Sequence, residues 1–197
     1  MQAGIPPLVG VPPVCYTFCI GYETAQEEKY MGQSEQRIVH PFGPLFGPDS
    51  RILILGSFPS VKSREQNFFY GHPQNRFWKV IAALFGQEVP QTVPEKKELI
   101  LSHHLALWDS IASCVITGSS DASIREVRPN DLRIILDNAP IERIYCNGRK
   151  SHEMYEKAIL PSLGREAACL PSTSPANAAW SLEKLIAAWS VILPDQK

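Results

Sequence analysis

The chain has 197 residues, 44% hydrophobic and 20% charged, enough for one globular domain with its own core. Its formal net charge of −1 excludes a broadly basic coat protein for nucleic acid, so any DNA partner must be held by a local basic surface. Of five cysteines, odd in number, Cys15 and Cys19 form a CxxxC, but no second Cys or His pair stands at ligand spacing, so no zinc centre is expected and free thiols in a reducing cytoplasm are the better reading.

Residues 1–37 lack a basic n-region, and four prolines interrupt their one apolar stretch. That pattern argues against a signal peptide or membrane helix, and a poorly ordered extension is expected before a domain at 38–197. HPFGPLFGPDS at 40–50 is a Pro/Gly-rich lead-in to RILIL (51–55), whose continuous apolar character predicts a strand covered on both faces. LALW (105–108), IERIYC (141–146) and AACL (167–170) read alike. Helical spacing of apolar residues runs over Asn75 to Phe85, Pro94 to His103, Asp131 to Leu136, Lys150 to Leu160 and Ala176 to Trp189. Strand and helix alternate, which predicts an α/β fold: a three-layer α/β/α sandwich around a mostly parallel four-stranded sheet.

In such sheets ligands bind beyond the carboxyl ends of the strands. The four exits read GSFPS, DSIASC, NGRKS and PSTSPAN, all rich in small polar residues. Gly56 permits a tight turn and close approach of backbone to ligand. Phe68, Phe69 and Tyr70 are consecutive, so no helix or half-buried strand can bury all three on one face, and one is left to stack on a flat ligand. Asn75 heads the next helix as a cap; its amide offers an acceptor for a water and two donors, without titrating. Asp109 reads as a helix cap, and Asn147 as either a helix cap or a reader of a base edge. Ser174 caps the helix starting near Ala176, and a Ser/Thr-rich helix start also suits a phosphate. A weakly activated water plus backbone donors at Gly56 to Phe58 fits cleavage of an N-glycosidic bond, whose transition state is oxocarbenium-like.

The segments RILILGSFPSVKS, FFYGHPQNRFWKVI, LALWDSIASCVITGSSDASI, VRPNDL, NGRKSHEMYEK and LPSTSPANA, in this order between about 38 and 192, resemble the uracil-DNA glycosylase superfamily. Within it they resemble the hypoxanthine-DNA glycosylase (DNA-deoxyinosine glycosylase) branch; GHPQNRFWKVI is also similar to mismatch-specific uracil-DNA glycosylases. The resemblance implies a monofunctional repair enzyme, without metal or cofactor, that flips a deaminated base from single- or double-stranded DNA and hydrolyses its glycosidic bond. A cytoplasmic monomer with no membrane association is expected. Asn75 matches the catalytic asparagine; Gly56, Ser57, Phe58, Tyr70 and Asn147 match the base pocket; and Ser60, Lys62, Ser172, Thr173, Ser174 and Asn177 match DNA contacts. Lys62, Arg64, Arg125, Arg128, Arg149 and Lys150 are expected near phosphates, and Ala176 or Asn177 as the wedge. Two departures stand out: Phe58 replaces the polar residue of uracil-removing relatives, and Ser172 replaces a His or Asn. The competing readings are a uracil or mismatch glycosylase and a damaged-DNA binding module that does not cut.

Overall fold

The computed structural model describes residues 36–117 and 123–193. The expected N-terminal extension lies outside them except for Gln36 and Arg37, which already belong to the first strand, β1 (Gln36–Val39).

The central sheet is wholly parallel and runs β3 (Leu105–Asp109), β2 (Ile52–Gly56), β6 (Arg143–Asn147), β7 (Ala168–Leu170). Successive side chains of a strand point to opposite faces. All five residues of β2 and of β3 are buried, so helices cover both faces, as the unbroken apolar runs predict. The register sets Gly56 opposite Asp109, while Leu55 pairs with Cys146 one residue short of Asn147, bringing three strand exits to one level. The helices are α1 (Val61–Gln66), α2 (Phe77–Leu84), α3 (Val93–Ser102), α4 (Arg133–Leu136), α5 (Arg149–Ala158), α6 (Leu160–Leu163) and α7 (Leu182–Trp189). Phe77, at the start of α2, and Trp189, at the end of α7, are fully buried with ring centroids 5.8 Å apart.

Two departures from the sequence-based expectation matter for the site. A second, antiparallel sheet, β1-β4-β5, is built from β4 (Ile111–Ile116) and β5 (Arg125–Pro129). The exit read as DSIASC is therefore a one-residue step into β4, and Asp109 caps no helix. This sheet buries a small core of its own, Phe58, Ile111, Cys114, Ile116 and Ile124.

The last long helix starts at Leu182 with Ser181 as its cap, not near Ala176 with Ser174. The chain before it closes only single turns, with the Ser174 and Asn177 carbonyls accepting from the Asn177 and Trp180 N–H groups at 3.0 and 3.3 Å. It is tied to Arg76, whose guanidinium donates to the carbonyls of Thr173 (3.4 Å), Ser174 (2.6 Å), Asn177 (3.0 Å) and Trp180.

Candidate active site

Gly56, Ser57, Phe58, Ser60, Tyr70, Asn75, Asn147, Ser172 and Ser174 line one cavity of about 110 Å³, with Asp109 in its wall. Three expected site residues do not line it. Lys62 is exposed and pairs with Glu65 at 2.8 Å. Thr173 is fully buried, and Asn177 uses its Nδ2 to close a turn on the Ser172 carbonyl at 2.9 Å.

Asn75 is held by a chain of hydrogen bonds whose direction follows from its ends. The Thr173 backbone N–H donates to Asn147 Oδ1 at 2.9 Å, so the other amide atom, Asn147 Nδ2, donates to Thr173 Oγ1 at 2.9 Å. Thr173 then gives its own hydroxyl proton to Asn75 Oδ1 at 2.9 Å. The same oxygen accepts from the backbone N–H of Phe77 at 3.0 Å, which only an oxygen can do. Both lone pairs of Asn75 Oδ1 are occupied. What Asn75 offers the cavity is its Nδ2, two N–H donors, and not the acceptor for a water that the sequence suggests. Asn147 is likewise no helix cap: Gly148 fills that position without a side-chain bond. Thr173, expected as a DNA contact, is the middle of the relay.

Tyr70 forms one wall. Its ring lies on Phe77 with centroids 3.8 Å apart and planes 21° from parallel, so one face is taken and a base can stack only on the other. Its backbone is left-handed at φ 50°, a conformation that costs a non-glycine residue about 1–2 kcal/mol, and such strain concentrates at functional sites. Ser63 helps hold the bend, its Oγ accepting from Gly71 N at 2.9 Å. Among the described residues the buried Tyr70 hydroxyl has no hydrogen bond of ordinary geometry, although the Asn147 amide is near enough to draw its pKa down. Burial first, and then the negative charge of Asp109, push its pKa up, so it stays a neutral phenol. Phe68 and Phe69 go to the core, as expected for two of the three aromatics.

Gly56 is required for a reason other than a turn. A Cβ there would stand 2.1 Å from Asp109 Oδ1 and 3.6 Å from the Tyr70 hydroxyl. Asp109 rests directly on the bare Cα of Gly56. Its Oδ2 accepts from His40 Nε2 at 2.7 Å, with both side chains buried. His40 Nδ1 accepts from the Phe42 backbone N–H at a long 3.4 Å, which places the ring proton on Nε2. The His40 ring meets Phe42 and Phe58 edge-on, at 4.5 and 6.0 Å. Phe58 thus walls in the pair from the smaller core, and Arg64 lies over its ring at 5.9 Å while donating to the Pro59 carbonyl at 2.8 Å. Sequence reasoning missed His40 and Arg76. A visible signal for the first was an acid ending the apolar run LALWD, a residue that needs a buried partner.

The family model of the Uracil DNA glycosylase superfamily matches residues 44–193. The chain belongs to the uracil DNA glycosylase superfamily. Among similar proteins, a hypoxanthine DNA glycosylase of Methanosarcina acetivorans is 36% identical over 142 residues, 71% of this chain and 89% of that protein. A hypoxanthine DNA glycosylase of Methanosarcina barkeri is 33% identical over 138 residues, covering 69% and 86%. The solution NMR structure of a protein from Methanosarcina acetivorans, named as a candidate uracil DNA glycosylase, aligns with a TM-score of 0.65 at 30% identity over 79% of this chain and 96% of that one. In this superfamily member the cavity lies at the carboxyl ends of β2, β3 and β6, where an open parallel sheet places its ligand. Among the described residues no cluster of His, Cys, Asp and Glu could hold a metal, and no helix is long and apolar enough to cross a membrane.

Proposed function

We propose that this DNA glycosylase removes hypoxanthine, the deaminated form of adenine, by flipping the nucleotide into the Tyr70–Asn75 cavity and hydrolysing its N-glycosidic bond to leave an abasic site. The observation that carries this reading is the hydrogen-bond chain Asn147–Thr173–Asn75, which leaves Asn75 as a fixed donor at the mouth of the cavity. As the bond to the sugar breaks, electrons collect on the departing purine. An N–H preorganised toward a ring nitrogen or carbonyl oxygen of that purine strengthens as charge develops, which is transition-state stabilisation; one such donor is worth about 10²–10³ in rate. The sugar becomes cationic and tolerates a weakly activated water, so a side chain that cannot take a proton suffices at this position.

The free face of Tyr70 receives the flipped base. Extrusion costs a few kcal/mol, and less for a weak pair such as I·T, which favours the damaged site. Ser60, Ser172 and Ser174, at the cavity rim, are the phosphate contacts in this reading; the exposed Lys62 and Arg149 contribute little beyond their pairing with Glu65 and Glu153. The protein works as a cytoplasmic monomer, on single- or double-stranded DNA. The names of the Methanosarcina relatives support hypoxanthine over uracil, as does the apolar Phe58 in the first motif.

The test is a labelled duplex carrying one deoxyinosine, beside matched uracil and undamaged duplexes, incubated with the protein and then cleaved at abasic sites with alkali. Cleavage specific to inosine, falling about 10²–10³-fold in Asn75→Ala, is expected. Binding to inosine duplex with no abasic product would replace the glycosylase reading by the damage-binding module.

A further inference from the structure

Asp109 is 5% exposed, and its two carboxylate oxygens have different surroundings. Oδ2 is fixed by His40 Nε2 at 2.7 Å, and the Asp109 backbone carbonyl accepts from Asn130 Nδ2 at 2.9 Å. Oδ1 accepts no hydrogen bond among the described residues and sits against the Gly56 Cα in the cavity wall. A carboxylate oxygen at a cavity wall without a protein donor is open to a ligand that supplies an N–H, and the charge-assisted hydrogen bond formed there is stronger than one between neutral groups.

We infer that Asp109 is the specificity-determining residue of the pocket: its Oδ1 accepts the N1–H of a base in the lactam form, and so separates a deaminated purine from its parent. The inference rests on the proposed function above. Deamination turns the edge of adenine from an amino donor beside a ring-nitrogen acceptor into a carbonyl acceptor beside a ring N–H donor. Against hypoxanthine the carboxylate gains a charge-assisted hydrogen bond. Against adenine it faces the lone pair of N1, and both groups stay buried and unpaired. Sites built on such polarity discriminate far more strongly than apolar pockets do.

His40 acts through Asp109 as a positioning residue. Its Nε2–H holds Oδ2 and thereby turns Oδ1 toward the cavity. Gly56 completes the arrangement, because any side chain there would occupy the place of Oδ1.

The experiment compares single-turnover release of hypoxanthine and of 1-methylhypoxanthine from otherwise identical duplexes. The second base keeps the carbonyl and the leaving group but replaces the N1 proton with a methyl. Wild type is expected to release hypoxanthine on the order of 100-fold faster or more. Asp109→Ala removes the acceptor and makes room for the methyl, so hypoxanthine release falls about 100-fold, 1-methylhypoxanthine release does not fall, and the ratio collapses. Asp109→Asn keeps the shape; with the amide oxygen on His40 it turns an NH₂ to the cavity and slows hypoxanthine by a similar factor. His40→Gln, which retains a donor to Asp109, keeps selectivity. If either Asp109 variant slows both bases equally, Asp109 serves the water or the fold, and the inference is overturned while the glycosylase reading stands. Wild type that releases neither base, nor hypoxanthine opposite any partner, overturns both.

Discussion

Thr173→Val removes one hydroxyl and keeps the shape of the side chain. Thr173 is fully buried, accepts from Asn147 Nδ2 and donates to Asn75 Oδ1, both at 2.9 Å, so valine deletes two hydrogen bonds and leaves a buried donor and acceptor facing a methyl. Each lost bond costs about 1 kcal/mol, and each unsatisfied buried group adds about 1–3 kcal/mol where water cannot reach it. Partial relaxation of the two amides puts the total near 2–3 kcal/mol, which for a chain of this size lowers Tm by about 5–10 °C. The effect on activity is expected to be smaller than that of losing Asn75, because the Phe77 N–H still holds Oδ1. Hypoxanthine release in a single turnover should fall about tenfold, against about 10²–10³-fold for Asn75→Ala. Thr173→Ser keeps the hydroxyl and should recover most of both losses. Thermal melts and burst rates on the three proteins measure this. A Val variant as stable and as fast as wild type, or a Ser variant as impaired as Val, would refute the relay.

Gly56→Ala puts a methyl 2.1 Å from Asp109 Oδ1 and must displace the carboxylate; excision should drop on the order of 100-fold, with a loss of about 1–3 kcal/mol in denaturant titration. Arg76→Ala frees the loop over 173–180 by removing donors from four carbonyls, and should cost about 2–4 kcal/mol and raise KM for the duplex; Arg76→Lys, lacking the planar fork, should recover less than half. Alkaline stability follows from Cys146, whose thiol burial pushes up from its ordinary value of 9.0 to about 12. The folded thiol stays neutral while the unfolded one ionises, so its contribution is complete below pH 9 and is lost as pH rises from about 9 to 12. That is a fall of about 1.4 kcal/mol per pH unit, which urea titrations at pH 8 and 10 should register and which should shrink in Cys146→Ala.

The central sheet was legible because buried parallel strands leave an unbroken apolar signature, and RILIL, LALW and IERIYC carry it. The second sheet was not. β5 reads REVRP and is largely exposed, and β4 reads as a polar exit until β1 and β5 are known to flank it. Local patterning contains no trace of a pairing between residues about 75 positions apart, such as Val39 with Ser113. The late start of α7 was hidden in the same way: Ala176 to Ser181 has helical composition, but the loop before α7 is tied to Arg76, about a hundred positions earlier.

The loop residues that converge on the cavity could be picked out by type and place, because ligands bind beyond the carboxyl ends of parallel strands and the Gly, Ser and Asn residues lie at those exits. Their roles could not. Asn75 carries an acceptor and two donors in any sequence, and only the contacts with Phe77 and Thr173 decide which side faces the cavity. Asp109 gave no sign that its partner would be His40, 69 positions away.

The central claim, that Asn75 acts as a donor to the departing base, is tested most directly by Asn75→Asp. The substitution is isosteric: one carboxylate oxygen can still accept from Phe77 and Thr173, while the other replaces the NH₂ group that faces the cavity. The account predicts single-turnover hypoxanthine release at least as slow as in Asn75→Ala, about 10²–10³-fold below wild type, with the protein folded. Release by Asn75→Asp equal to or faster than wild type would mean that this position accepts a proton or orients the water, and would contradict the account.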